Sequence, residues 1–194
     1  MGSMRSRSFQ NERWFWSVAI AALLIGSLVV SASLWAGTLE IRIKDHREAI
    51  GDFSKLDITI EKIRLRKKSM LPWLRATWKE LQPTVRSVDL TRYSDGSSAG
   101  VFRGKVAPGK FDAIDLKIKN VSGALKKNKT TVEPKNAFGA IQLAFAVMKS
   151  GVTRIILDLE VLDLSDHPPL GYVMQMKGYE LYLDGKLIDR VPPA

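Results

Sequence analysis

Gly96-Ser97-Ser98-Ala99-Gly100 fits the G-x-S-x-G string of a serine nucleophile elbow. That elbow needs a sharp strand-to-helix turn and a histidine to take the serine proton. Here the string lies in a polar stretch between strand-like segments, and His46 and His167 are the only histidines. A loop of small residues is the expectation. Gly104-Lys105-Val106-Ala107-Pro108-Gly109-Lys110 has the spacing of a phosphate-binding loop. Phe111 stands where a serine or threonine would hold magnesium. Pro108 removes a backbone donor, and no helix follows to present its positive end. A turn between two strands is expected. His46 and His167 each lie beside carboxylates but far apart in sequence. Asp158, Asp163 and Asp166 lack the glycine and spacing of a calcium loop. The expectation is a chain with no catalytic, cofactor-binding or metal-ligating residues, and so not an enzyme.

What the chain does carry is contact chemistry. Its net charge is +10 at pH 7. Lys62, Arg64, Arg66, Lys67, Lys68, Arg75 and Lys79 crowd one stretch, and Lys105 to Lys129 supplies a second group. Such surfaces attract nucleic acid, anionic lipid or acidic proteins. No RNP-like or helix-turn-helix string is present, so nucleic acid is not expected. Arg64, Arg66, Lys67, Lys68, Trp73 and Trp78 are the candidate contact set for a partner or for lipid headgroups. No specific small molecule and no cofactor is inferred. There is no cysteine, which excludes disulfides, thiolate chemistry and a lipidated cysteine anchor.

These residues must be positioned by something, and the N-terminal third supplies a setting. Twenty-six residues, Trp14 to Leu39, pass without a charge. At about 1.5 Å per helical residue this exceeds the roughly 30 Å hydrocarbon core. Trp14 and Trp16 at one end and Trp35 at the other suit interfacial anchors. A cleaved signal peptide has a shorter apolar core ending in small residues, and Trp35 interrupts that end. The expected organisation is a basic tail at residues 1–13, an uncleaved transmembrane helix at 14–36 and an outer domain at 37–194. Ala19, Ala22, Gly26 and Ser33 lie near one helical face, and Ala22 with Gly26 lets another helix approach closely. The tail holds Arg5, Arg7 and Arg13 against Glu12, whereas Arg42, Lys44 and Arg47 are offset by Glu40, Asp45 and Glu48. By lysine-plus-arginine count the two flanks nearly tie; the net-charge difference and the short tail favour an N-terminus inside and the domain outside.

Past residue 37 the pattern is of strands. Thr38 to Lys44 alternates apolar and polar residues, as a half-buried strand does. Leu56, Ile58 and Ile60 do the same, until the phase slips near Lys62 and Ile63 and Leu65 resume, a β-bulge signature. Val101–Val106 and Phe111–Val121 follow. Ile141–Met148 and Thr153–Leu164 flank Lys149-Ser150-Gly151, which reads as a hairpin loop. Asp184-Gly185 between alternating segments is a type I′ hairpin signal. A short helix could start near Lys135-Asn136-Ala137. The pattern predicts a mainly β domain, an antiparallel sandwich of immunoglobulin- or transthyretin-like kind.

Gly37 to Asp45, Leu56 to Ile60, Ala107 to Leu116, and Gly151-Val152-Thr153 leading into Ile156 to Leu159 together resemble the DUF4382 domain family over about residues 37–165. The resemblance implies a β-sandwich of the bacterial cell envelope and no known catalytic residues. The expected role is a single-pass accessory or structural subunit of a larger complex in the bacterial inner (cytoplasmic) membrane. Its N-terminus would be cytoplasmic and its domain periplasmic or extracellular. The alternatives are a ligand- or glycan-binding module outside the membrane, with an aromatic groove far from the bilayer, and an envelope hydrolase.

Overall fold

The computed structural model describes residues 36–46, 49–69, 76–167 and 171–191. Residues 14–35 of the transmembrane segment expected over 14–36, with its packing residues and its tryptophan anchors, lie outside these, as does Trp73. Among the described residues no helix is long and apolar enough to cross a membrane. Helix is limited there to two 3₁₀ turns, Ala49–Asp52 and Leu90–Tyr93, and Lys135 opens no helix.

Gly37–Ala194 forms one compact unit. Its strands are β1 (Gly37–Asp45), β2 (Phe53–Lys67), β3 (Trp78–Leu81), β4 (Ser87–Asp89), β5 (Ala99–Val106), β6 (Gly109–Leu125), β7 (Thr131–Val132), β8 (Lys135–Asn136), β9 (Ile141–Val147), β10 (Val152–Asp163), β11 (Tyr172–Leu183) and β12 (Lys186–Val191). They form two six-stranded sheets. The first runs β12-β11-β10-β1-β5, with β8 also on β11. The second is built on the long β2–β6 pair, with β3 and β4 on the outer edge of β2 and β7 and β9 on that of β6. This is a β-sandwich.

Alternation places one face of each strand in the core. Leu39, Ile41 and Ile43 of β1 and Ile155, Leu157, Leu159 and Val161 of β10 come from the first sheet. Leu56, Ile58, Ile60, Ile63 and Leu65 of β2 and Ile114 and Leu116 of β6 come from the second. The β2 pattern stays inward across its phase slip because the register shifts between Ile60 and Lys62, the bulge that the sequence signalled. Asp184 and Gly185 have φ of 48° and 82°, so the β11–β12 hairpin turns as a primed type.

Two expectations are corrected. Lys149-Ser150-Gly151 does not close a hairpin: β9 pairs with β6 in the second sheet, while β10 pairs with β1 and β11 in the first. The segment carries the chain across the core. The sandwich is also not wholly antiparallel, since β1 and β10 pair in parallel from Thr38↔Val152 to Asp45↔Leu159. Parallel strands need a long crossover, and the whole second sheet lies between these two in sequence.

β1 enters at one end of the sandwich and leaves at the other, which defines an entry end and a far end. Two glycines mark them. A Cβ on Gly37, at the entry end, would lie 1.9 Å from the Met148 carbonyl oxygen. One on Gly123, toward the far end, would lie 2.4 Å from the buried Phe53 ring.

Candidate functional site

The basic stretch of β2 points out of the second sheet because Ile63 and Leu65 point in. Arg64 faces Asp115 across the β2–β6 ladder, and both its Nε (2.9 Å) and an Nη donate to Asp115 Oδ2. Asp115 is buried and also receives Lys117 at 3.2 Å. Arg66 Nε donates to Asp112 Oδ1 (2.6 Å) and an Nη to Gln142 Oε1 (2.7 Å). Half-buried Trp78 on β3 lies against both guanidinium groups, 4.9 Å from Arg64 and 5.8 Å from Arg66, within cation–π range. Lys62 pairs with Glu80 at 3.0 Å. The structure thus gathers Arg64, Arg66 and Trp78 of the predicted contact set into one internally compensated cluster.

The first sheet's outer face is compensated likewise. Arg154, Glu40 and Arg103 stand in one cross-strand row. Glu40 is 4% exposed and accepts from Arg42 (2.9 Å) and Arg154 (3.1 Å). Burial works to raise its carboxyl pKa, but the two arginines outweigh that and hold it below its usual 4.5. Glu180 is depressed by the same balance, burial opposed by hydrogen bonds from Tyr182 and Lys44. Lys44 also lies 3.6 Å from Asp158, and Lys177 lies 2.9 Å from Glu160.

The motif residues are occupied in ordinary ways. Ser98 Oγ accepts from Arg42 Nε at 2.8 Å, and its segment runs into β5. Gly104 lies inside β5, and Gly109 opens β6 after a short turn. His46 Nδ1 lies 3.4 Å from Asp158, and His167 Nδ1 lies 2.7 Å from Asp166. Among the described residues no group of three histidine or acidic side chains could hold a metal.

The entry end is different. Lys67 ends β2, and Lys68 N–H donates to the Lys110 carbonyl at 2.9 Å. Lys105 pairs with Thr38, and Lys186 follows the Asp184-Gly185 turn, whose Asp184 N–H donates to the Val152 carbonyl. Lys67, Lys68, Lys105, Lys110 and Lys186 are exposed and make no ion pair among the described residues. In the described loops of this end the one carboxylate is Asp184. Its Oδ1 accepts from the Val152 N–H at 2.7 Å, so it is turned to the backbone. The structure therefore sets Lys67 and Lys68 apart from the arginines and joins them to Lys105, Lys110 and Lys186. Sequence reasoning left those three out of the contact set; the turns at Pro108-Gly109 and Asp184-Gly185 were the signal that could have grouped two of them.

The far end carries a cleft of about 340 Å³, lined by Gly51, Asp52, Leu125, Lys126, Lys127, Asn128 and Tyr172. Tyr172 meets Phe53 edge to face at 4.8 Å and donates its hydroxyl to Asp52 Oδ2 at 3.1 Å. Burial, then the Asp52 hydrogen bond, pushes that hydroxyl up to about 12. Lys126 N–H donates to the Asp52 carbonyl at 2.7 Å, which fixes the β6–β7 turn against the cleft.

Against known proteins, the family model described as Domain of unknown function (DUF4382) matches residues 36–167. No curated protein and no solved structure matches the chain. The matched span stops short of β11, which nevertheless covers the full edge of β10 and contributes Met174, Tyr179 and Leu181 to the core.

Proposed function

The chain belongs to the DUF4382 family, and from that premise we propose that it is a single-pass membrane protein whose sandwich braces a larger membrane complex as an accessory subunit. The proposed setting is the bacterial inner membrane, with the N-terminus cytoplasmic and the domain periplasmic or extracellular. An immunoglobulin- or transthyretin-like fold for the sandwich belongs to the same reading. One observation carries it. The uncharged run Trp14–Leu39 continues into β1 with no linker, and it enters at the end of the domain where uncompensated cations gather.

The remaining surfaces suit a scaffold. Both outer sheet faces are knitted by their own ion pairs, and Ser98 is held by Arg42. The reading is tested by extracting the native protein in a mild detergent, sizing it and identifying its companions by mass spectrometry. The expected result is a large particle of fixed composition that dissociates in an Ala22→Leu/Gly26→Leu variant. A particle of one protomer plus detergent sinks it.

The far-end cleft favours a second reading. A binding module for a small ligand, glycan or cell-wall polymer would need an aromatic group away from the bilayer, and Tyr172 is on the side opposite the entry of β1. That reading predicts saturable binding of the ligand that is lost on Tyr172→Ala.

A further inference from the structure

We propose that the entry end of the sandwich is a docking surface for anionic phospholipid headgroups of the bilayer that holds the N-terminal segment. The inference rests on the reading that Trp14–Leu39 spans that bilayer. It keeps Lys67 and Lys68 from the charge runs of the sequence and leaves the neighbouring arginines out. Arg64 and Arg66 are held by Asp115 and Asp112 on the sheet face, so they are not available to an outside anion without breaking those pairs. The available cations are Lys67, Lys68, Lys105, Lys110 and Lys186. They come from three separate turns that meet at one end.

Three features fit lipid in particular. The first is tethering. The uncharged run overlaps β1 by Gly37, Thr38 and Leu39, and Gly37 is already paired with Val106. No spare chain separates the domain from the end of the run, so these loops cannot move far from the headgroup layer. The second is the kind of cation. Every free cation in these described loops is a lysine. Lysine is a compact point charge on a flexible stem, whereas a fixed carboxylate on a protein partner is better met by the planar fork of arginine. A fluid sheet of phosphates asks for charge rather than geometry, and juxtamembrane lysines gain attraction additively from an anionic leaflet. The third is the fate of the acid. Asp184, which would repel phosphate, has its carboxylate on the Val152 N–H. Exposed Met148 in the same set of loops adds an apolar side chain that the interface can accept.

The test uses the full chain reconstituted in phosphatidylcholine vesicles with or without phosphatidylglycerol. A water-soluble acylating reagent is added, and modification of each lysine is read by mass spectrometry. Lys126 and Lys127 at the far end serve as internal standards. In anionic vesicles Lys67, Lys68, Lys105 and Lys110 are expected to react roughly fivefold more slowly relative to those standards, an effect that high salt removes. A Lys68→Glu/Lys110→Glu variant is expected to return Lys67 and Lys105 to their rates in neutral vesicles, with an unchanged melting temperature showing that it folds. Equal rates in both lipids, from chains that float with the vesicles, overturn the docking surface and leave the membrane anchor standing. Failure to float in either lipid removes the anchor and the docking surface together. Protection that appears in native membranes and not in the anionic vesicles overturns the lipid in favour of a protein neighbour.

Discussion

The two ends of the sandwich are built from the same kind of parts, turns between long strands, yet they differ in charge and shape. At the entry end, exposed lysines stand without acids and the carboxylate in the described loops is turned to the backbone. At the far end Lys126 and Lys127 share the surface with Asp52, and Tyr172 helps to shape a cleft. The comparison shows that a net charge of +10 is not itself an interface. On the sheet faces Arg64, Lys44 and Arg154 each stand directly opposite an acid, and cross-strand neighbours sit only about 5 Å apart. At the strand ends of the entry side the residues opposite are not acids: Lys67 faces Phe111, Lys105 Thr38, Lys110 Ala146 and Lys186 Leu183. Where those lysines converge sets one end of the sandwich apart in charge.

Breaking each end separately gives the largest effects. Gly37→Ala drives a Cβ into the Met148 carbonyl, which the backbone cannot easily yield. Its expected cost lies at the top of the roughly 1–3 kcal/mol range for overpacking. Gly123→Ala pushes on the Phe53 ring that supports Tyr172; about 1–2 kcal/mol is expected there. Chemical denaturation measures both. Equal and small losses would mean that the close approaches relax freely. The acylation rate of Lys68 should be unchanged by Gly123→Ala if the ends are independent.

Glu40→Gln comes next. It leaves Arg42, Arg103 and Arg154 without their shared carboxylate, at an expected cost of about 1–2 kcal/mol. The native carboxyls of Glu40 and Glu180 are depressed below 4.5, so the unfolded chain binds more protons in that region. Their contribution is therefore present above pH 4.5 and is lost as the pH falls through the lower native values. A pH series of melts should show acid destabilisation that is shallower in Glu40→Gln. An unchanged slope would remove Glu40 from the cause.

Tyr172→Phe is smaller, about 1 kcal/mol for one hydrogen bond to a carboxylate that can rehydrate. Because the native hydroxyl is raised to about 12, its contribution is complete below pH 10 and is lost as the pH rises toward 12. Tyrosinate absorbance should show this late titration vanish in the variant. The smallest effect on stability belongs to Lys68→Glu/Lys110→Glu, within about 0.5 kcal/mol, although the same change is expected to abolish headgroup protection. A large destabilisation instead would mean that the entry end is structural, and the contrast between the ends would lose its functional meaning.

Much of the fold was legible because its signals are local. Period-two alternation marked β1, β2 and β6, the slip near Lys62 marked the bulge, and Asp184-Gly185 marked a turn that requires positive φ. Lys149-Ser150-Gly151 misled for the same reason: a glycine turn between two apolar strands has one local chemistry whether the strands pair or part. The candidate surface was legible only as composition. Lys67 and Lys68 were singled out beside Arg64 and Arg66, and nothing local separates the pair that stays free from the pair that is held.

By itself the sequence determined a mainly β domain after a long uncharged run, the strand faces that enter the core, and the turns that steric preference dictates. Only the tertiary structure decided that β9 and β10 belong to opposite sheets, that β1 runs parallel to β10, and that Arg64 meets Asp115 and Glu40 meets Arg154. These pairs join residues 51 and 114 positions apart. Steric preference and hydrophobic period act over a few residues, whereas charge compensation depends on which strands become neighbours, and that is settled only when the two sheets close over their common core.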